Sequence, residues 1–164
     1  MSLALDRDQA FLEAVRRVGE EVAAPNAADV DRQARFPAES VAALREQRTL
    51  SCLLPGALGG ADVSLRAVAT GCFELGRHCG ASAMVFAMHQ IQVATLLRHL
   101  EGGDWFEDYL SSVADEQRLI ASVTSEVGNG GDMGRSVAAA EPTEAGLRFE
   151  KQAPTVSFGE YACL

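Results

Sequence analysis

The sequence predicts an α+β chain, with an N-terminal all-α helical bundle followed by the beginning of an antiparallel β domain. Apolar residues recur at helical spacing from Phe11 to about residue 118, and beyond it the apolar runs shorten and alternate. Helices first and strands second imply segregated layers, not a βαβ pattern. Four glycines, at 128, 130, 131 and 134, then sit in a loop between two strand-like runs. The chain divides accordingly into a helical domain, residues 1–118, and a β segment, residues 119–164.

Phe11, Val15, Val18 and Val22 mark the first helix, with Pro25 expected to end it or its first part. Phe36-Pro37 opens a second helix carrying Val41, Leu44 and Arg45 on one face. Pro55, Gly56, Gly59 and Gly60 read as a loop. Ser64 is placed to cap a third helix with Leu65, Val68, Ala69, Cys72, Phe73 and Gly76 on one face. Residues 81–100 are apolar on most sides, which predicts a central buried helix. Gly102-Gly103 reads as a break. Asp104 and Glu107 then resemble a capping box before a helix with Phe106, Tyr109, Leu110 and Val113 inward. Expected strands are Leu119–Thr124, Ser136–Ala140, Gly146–Lys151 and Thr155–Ser157. A sheet ending at the apolar Tyr161-Ala162-Cys163-Leu164 leaves an open edge, so the chain is expected to belong to a longer protein or to receive strands from another chain.

Composition narrows the function classes. The net charge is −9 and 48% of residues are hydrophobic. That supports a packed core and argues against nucleic acid and anionic membrane surfaces, both of which want basic faces. No apolar run is read as a membrane span, no secretory signal is evident, and a cytoplasmic location is expected. The cysteines at 52, 72, 79 and 163 form no CxxC, so neither disulfides nor a metal site is expected.

The glycine loop is Ser125-Glu126-Val127-Gly128-Asn129-Gly130-Gly131-Asp132-Met133-Gly134. A strict GxGxxG fails at Met133, and no helix signal follows, so a Rossmann turn is excluded. A P-loop is excluded because no Gly-Lys-Ser/Thr ends the run. Glycines at this density permit positive φ and close approach of a ligand to the backbone. The same glycines also suit a plain connection between strands.

Three stretches together resemble the N-terminal part of the acyl-CoA dehydrogenase superfamily. Arg35-Phe36-Pro37 followed by Leu50 to Gly60 is similar to the family's helix–loop segment ending in Gly-Gly. Ser125-Glu126-x-x-Asn129-Gly130-x-Asp132 is similar to the signature Thr-Glu-Pro-x-x-Gly-Ser-Asp. Val156-Ser157-Phe158-Gly159-Glu160-Tyr161-Ala162 is similar to the strand Ile-Thr-x-Gly-x-x-Ala. The order and spacing fit, and the resemblance covers nearly the whole chain. Departures are Val127 for the proline, Gly131 for a serine, Ala153 for a lysine and Thr155 for an aromatic that flanks the flavin.

The resemblance implies an FAD-dependent oxidoreductase that removes the α-proton and β-hydride of an acyl-CoA thioester. It implies that residues 119–164 begin the family's middle β domain. Ser122, Thr124, Ser125, Thr155 and Ser157 are the implied flavin contacts, with Gly130 and Gly131 near the pyrophosphate or the thioester. Phe86, Met88, His89 and Gly131 are the implied substrate contacts, although His89 also reads as a core histidine. No residue here is assigned as catalytic, because the family's base glutamate lies beyond this segment, and Glu126 is expected instead to fix the loop by hydrogen bonds. Homo-oligomerisation and an electron-transfer partner are also implied. Two alternatives stay open: a flavin monooxygenase or nitroalkane-oxidase-like member of the superfamily, and a non-catalytic helical interaction module.

Overall fold

The computed structural model describes residues 2–100, 104–132 and 134–162. The Gly102-Gly103 break, Met133, and the terminal Cys163 and Leu164 lie outside them. Six α-helices are followed by one β-hairpin among the described residues, an α+β arrangement.

Helix α1 (Ser2–Val18) runs through a π-helical turn, Gly19–Ala23, directly into α2 (Ala24–Arg32). Pro25 therefore does not stop the chain from coiling. The i−5 bond from Ala24 N–H to Gly19 O widens the turn just before the proline. A wide turn gives room where a proline ring otherwise meets the carbonyl four residues back.

Helix α3 (Ala38–Glu46) starts after Pro37 and buries Val41 and Leu44, as their spacing predicts. Helix α4 (Leu65–Gly76) is capped by Ser64, whose Oγ accepts the Ala67 N–H at 3.2 Å. Its buried face is Ala67, Val68, Gly71 and Leu75, while Leu65 and Phe73 are exposed. The reason lies in the α1–α4 contact. A Cβ on Gly71 would lie 2.9 Å from the Phe11 ring, so α4 turns its smallest residue to α1.

Helix α5 (Gly80–Leu97) packs against α4 and buries Ser82, Val85, Phe86, His89, Gln90 and Val93. The expectation that it is buried all round needs correction, because Met84 is 62% and Ile91 56% exposed. By length and composition alone, α5 also reaches membrane-span dimensions, contrary to the reading of the apolar runs. Its His89 and Gln90 point instead into the bundle and hold the backbone of Thr49 and Leu50.

Helix α6 (Asp104–Glu116) buries Leu110, Val113 and Ala114, with Phe106 and Tyr109 half-buried. It ends at Gln117, which adopts a left-handed φ of 50°. That strained geometry is held by buried hydrogen bonds. Gln117 accepts the Leu50 N–H and donates to Ser51 Oγ and to Ala114 O.

Residues 119–124 then run without helix, and the hairpin is β1 (Ala140–Thr143) with β2 (Gly146–Phe149). The register pairs Ala140 with Phe149 and Thr143 with Gly146, around a two-residue turn. The expected strand at 136–140 is displaced toward the C-terminus. Glu126 captures the Ser136 hydroxyl and the Val137 N–H, which withdraws them from any ladder. Pro142 is tolerated in β1 because the two-stranded sheet leaves an edge where no N–H is required. Of the other expected strands, Leu119–Thr124 and Thr155–Ser157 form one isolated bridge, Ser122 with Ser157.

Candidate functional site

The site is built where the chain leaving α6 meets residues 152–157. The Ser157 N–H donates to Ser122 O at 3.2 Å. Ser125 Oγ donates to Thr155 O at 3.0 Å and also lies 3.0 Å from Thr155 Oγ1. The Val127 N–H donates to Gln152 O at 3.1 Å. These contacts run antiparallel, so Ser122, Thr124, Ser125, Thr155 and Ser157 share one patch. Ser122 is buried, Ser125 and Ser157 are half-buried, and Thr124 and Thr155 are exposed.

The glycine loop borders the patch. Gly128, Gly130 and Gly131 have φ of 89°, 57° and 86°, so the backbone geometry itself calls for glycine. None of the three has a neighbour within 4 Å of an added Cβ. Asn129 Nδ2 donates to Asp132 O and Arg135 O, and Asp132 Oδ1 accepts the Gly134 N–H at 3.1 Å. A cleft of about 290 Å³ opens here, lined by Thr124, Ser125, Glu126, Asn129, Gly131, Asp132 and Arg135. Gly131 thus joins the hydroxyl patch at one cleft, while Gly130 lies on the exposed loop beside it.

Glu126 anchors this loop, as its sequence context predicts. Its side chain is 3% exposed. It accepts from Ser136 Oγ at 2.6 Å and from the Val137 N–H at 2.7 Å, and it pairs with Lys151 Nζ at 3.0 Å. The Ser136 hydroxyl, then the Val137 N–H, then Lys151 hold its carboxyl down to about 2. An acid held that low is a poor proton acceptor at neutral pH.

The three residues read as substrate contacts on α5 lie apart from the cleft. Phe86 and His89 are fully buried, and Met88 is half-buried. Phe86 stacks on Phe11 with ring centroids 6.2 Å apart. His89 Nε2 donates to Leu50 O at 2.8 Å, and its Nδ1 accepts the Ile120 N–H at 3.0 Å. Burial pushes the His89 imidazole down to about 4, so it is neutral near pH 7.

Two residues that tie the site to the bundle escaped the sequence reading. Gln92 Nε2 donates to Ser122 Oγ at 3.2 Å, and Gln117 turns the chain toward Ser122. For Gln92 the available signal was an amide three residues beyond His89, on the next turn of the same helix.

The acyl-CoA dehydrogenase N-terminal domain family matches residues 6–117, the helical part of the chain. The chain belongs to the acyl-CoA dehydrogenase superfamily. Cyclohexane-1-carbonyl-CoA dehydrogenase of Geobacter metallireducens is 28% identical over 123 residues, 74% of this chain and 32% of that protein. A Bacillus subtilis protein named "Putative acyl-CoA dehydrogenase YdbM" is 30% identical over 151 residues, 89% of this chain and 36% of its own length. The 3-sulfinopropanoyl-CoA desulfinase of Paraburkholderia xenovorans is 35% identical over 80 residues, 49% of this chain and 21% of that enzyme. The chain spans about a third or less of the length of these curated relatives.

Proposed function

We propose that the whole protein is an FAD-dependent oxidoreductase of the acyl-CoA dehydrogenase type. It would remove an α-proton and a β-hydride from an acyl-CoA thioester, leaving a carbon–carbon double bond. The observation that carries this reading is the antiparallel seam of Ser122 and Ser157, which gathers five hydroxyl residues beside an open glycine loop. A flavin ring has carbonyl and nitrogen edges that take hydrogen bonds, and hydroxyl and amide donors on an extended backbone match that edge. The donor set fits one wall of such a site.

FAD, when bound, supplies the two-electron acceptor for the β-hydride. The chain's own residues do the holding. Ser122, Thr124, Ser125, Thr155 and Ser157 would line the ring, and Gly130 and Gly131 would let a phosphate or thioester approach the backbone. Residues 1–118 would act as the helical domain and 119–164 as the start of the β domain. Substrate would be approached from α5, with Met88 the more accessible of its three assigned residues and Phe86 and His89 shaping the wall from within. Glu126 is a loop anchor in this reading, so the α-proton passes to a base outside residues 1–164. The relatives' names support a CoA thioester as substrate class: all three name an acyl-CoA, two as dehydrogenases and one as a desulfinase. A homo-oligomer, an electron-transfer partner and a cytoplasmic location complete the proposal.

The test is the purified whole protein. It should carry yellow FAD that is bleached anaerobically by an acyl-CoA. A protein that rejects FAD overturns the reading and favours a helical interaction module. One that binds FAD, ignores acyl-CoA and consumes oxygen after external reduction is a monooxygenase instead.

A further inference from the structure

We propose that Gln92 is a positioning residue for this flavin wall, acting through Ser122 to turn the Thr124 hydroxyl outward as a donor. The inference rests on the flavin reading above.

Gln92 lies on α5, half-buried, and its Nε2 reaches Ser122 Oγ at 3.2 Å. Ser122 is 4% exposed, and its Oγ lies 3.1 Å from Thr124 Oγ1. A carboxamide NH₂ only donates, so Ser122 Oγ is an acceptor toward the helix. Two arrangements then exist for the serine–threonine contact. If Thr124 donates to Ser122, the buried serine proton is left without an acceptor, at the cost of a lost hydrogen bond. If Ser122 donates to Thr124, every buried group is satisfied. The second arrangement leaves the exposed Thr124 with its own proton free to point away from the chain. The neighbouring contact from Ile120 N–H to His89 on the same helix fixes the separation of α5 from this segment. An outward donor at a flavin edge favours the electron-rich reduced ring over the oxidised one.

The decisive variant is Gln92→Glu, which keeps the shape and reverses the polarity. The carboxylate takes the Ser122 proton, Thr124 then donates to Ser122, and a lone pair faces outward. In the whole protein loaded with FAD, Gln92→Glu should lower the affinity for reduced relative to oxidised FAD by roughly five- to tenfold. The readout is the midpoint potential of the bound flavin, with the melting temperature of the apoprotein measured alongside. Thr124→Val should shift the potential in the same direction, and Gln92→Glu added to Thr124→Val should do nothing more. Gln92→Leu serves as the packing control and should shift the potential less than Gln92→Glu does. A Gln92→Glu effect that persists undiminished beside Thr124→Val is a through-space charge effect and overturns the relay. So does a drop in melting temperature with no change in potential. A wild-type protein that binds no FAD overturns the flavin reading and this inference together. A yellow wild type with an unchanged Gln92→Glu potential overturns the inference alone.

Discussion

His89 on α5 joins two separate segments through one ring: Nε2 donates to Leu50 O at 2.8 Å and Nδ1 accepts the Ile120 N–H at 3.0 Å. This fixes the tautomer and makes the neutral imidazole part of the core. The ring sits between the loop that follows α3 and the segment that leads to Ser122, so it sets the distance between the bundle and the hydroxyl patch.

Replacing His89 by leucine should therefore cost roughly 2–5 kcal/mol, since it leaves the half-buried Ile120 N–H and the buried Leu50 carbonyl each one partner short. Leu50 O keeps the Gln90 Nε2 contact at 3.1 Å, so most of the loss falls on Ile120. Denaturant unfolding of the whole protein checks the size. Amide exchange at Ile120 checks the location, and unchanged protection there would contradict the account.

The same ring predicts an acid limb of stability. Its folded value lies near 4, below the ordinary 6.5, because burial penalises the imidazolium. The unfolded chain binds the proton more tightly, so stability is full above about pH 6.5 and falls as pH drops toward 4. The loss is on the order of 3 kcal/mol when that window is crossed. Unfolding measured from pH 7.5 to 4 should show this slope, and His89→Gln should flatten it. An equal slope in the variant would assign the effect elsewhere.

Glu126 should give a second and lower limb. Its carboxyl is held to about 2 against an ordinary 4.5, so its contribution is present above 4.5 and is lost as pH falls through 2. Glu126→Gln should remove that limb and release the loop at 136–137. The measurement is exchange of the Val137 amide, which should rise in the variant at neutral pH.

Two glycines should fail for different reasons. Gly71→Ala places a methyl 2.9 Å from the Phe11 ring and should cost about 1–3 kcal/mol by overpacking. Gly131→Val meets open space but imposes a β-branched residue at φ 86°, so it should disturb the loop while leaving bundle unfolding nearly unchanged. FAD titration and thermal unfolding on both variants separate the two. Gly71→Ala should lower the melting temperature with FAD affinity kept, and Gly131→Val should do the reverse.

The stacking of Phe36 on Tyr161, with centroids 3.9 Å apart and planes within 4°, should tie the segment after Ser157 to the start of α3. Tyr161→Ala should cost about 1 kcal/mol. Its signature would be loss of ring-current shifts on Phe36 in the proton spectrum, and shifts that survive the substitution would exclude this contact in solution.

Much of the helical half was legible from the chain because its determinants are local. Helical spacing at Phe11, Val15 and Val18, the Ser64 cap and the Phe36-Pro37 start each depend on residues within a turn or two. The role of Glu126 was legible too, since a carboxylate in a glycine-rich loop needs hydrogen-bond partners. What sequence determined, then, is where the helices lie, which residue types crowd the loop, and which family those motifs resemble. Only the tertiary structure decided which face each helix buries. Spacing places Leu65, Val68 and Phe73 together, but the Gly71–Phe11 approach rotates the buried face, which keeps Val68 and leaves Leu65 and Phe73 exposed. The strand expected at 146–151 forms over Gly146–Phe149, but only the tertiary structure moved its neighbour from 136–140 to Ala140–Thr143, as Glu126 takes the Ser136 hydroxyl and the Val137 N–H, and reduced the strands expected at 119–124 and 155–157 to one bridge. Only it joined Gln92 to Ser122 and Gln117 to Leu50, pairs 30 and 67 residues apart. Such contacts leave no local pattern, since their energy is gained only once the chain has folded and the groups are withdrawn from water.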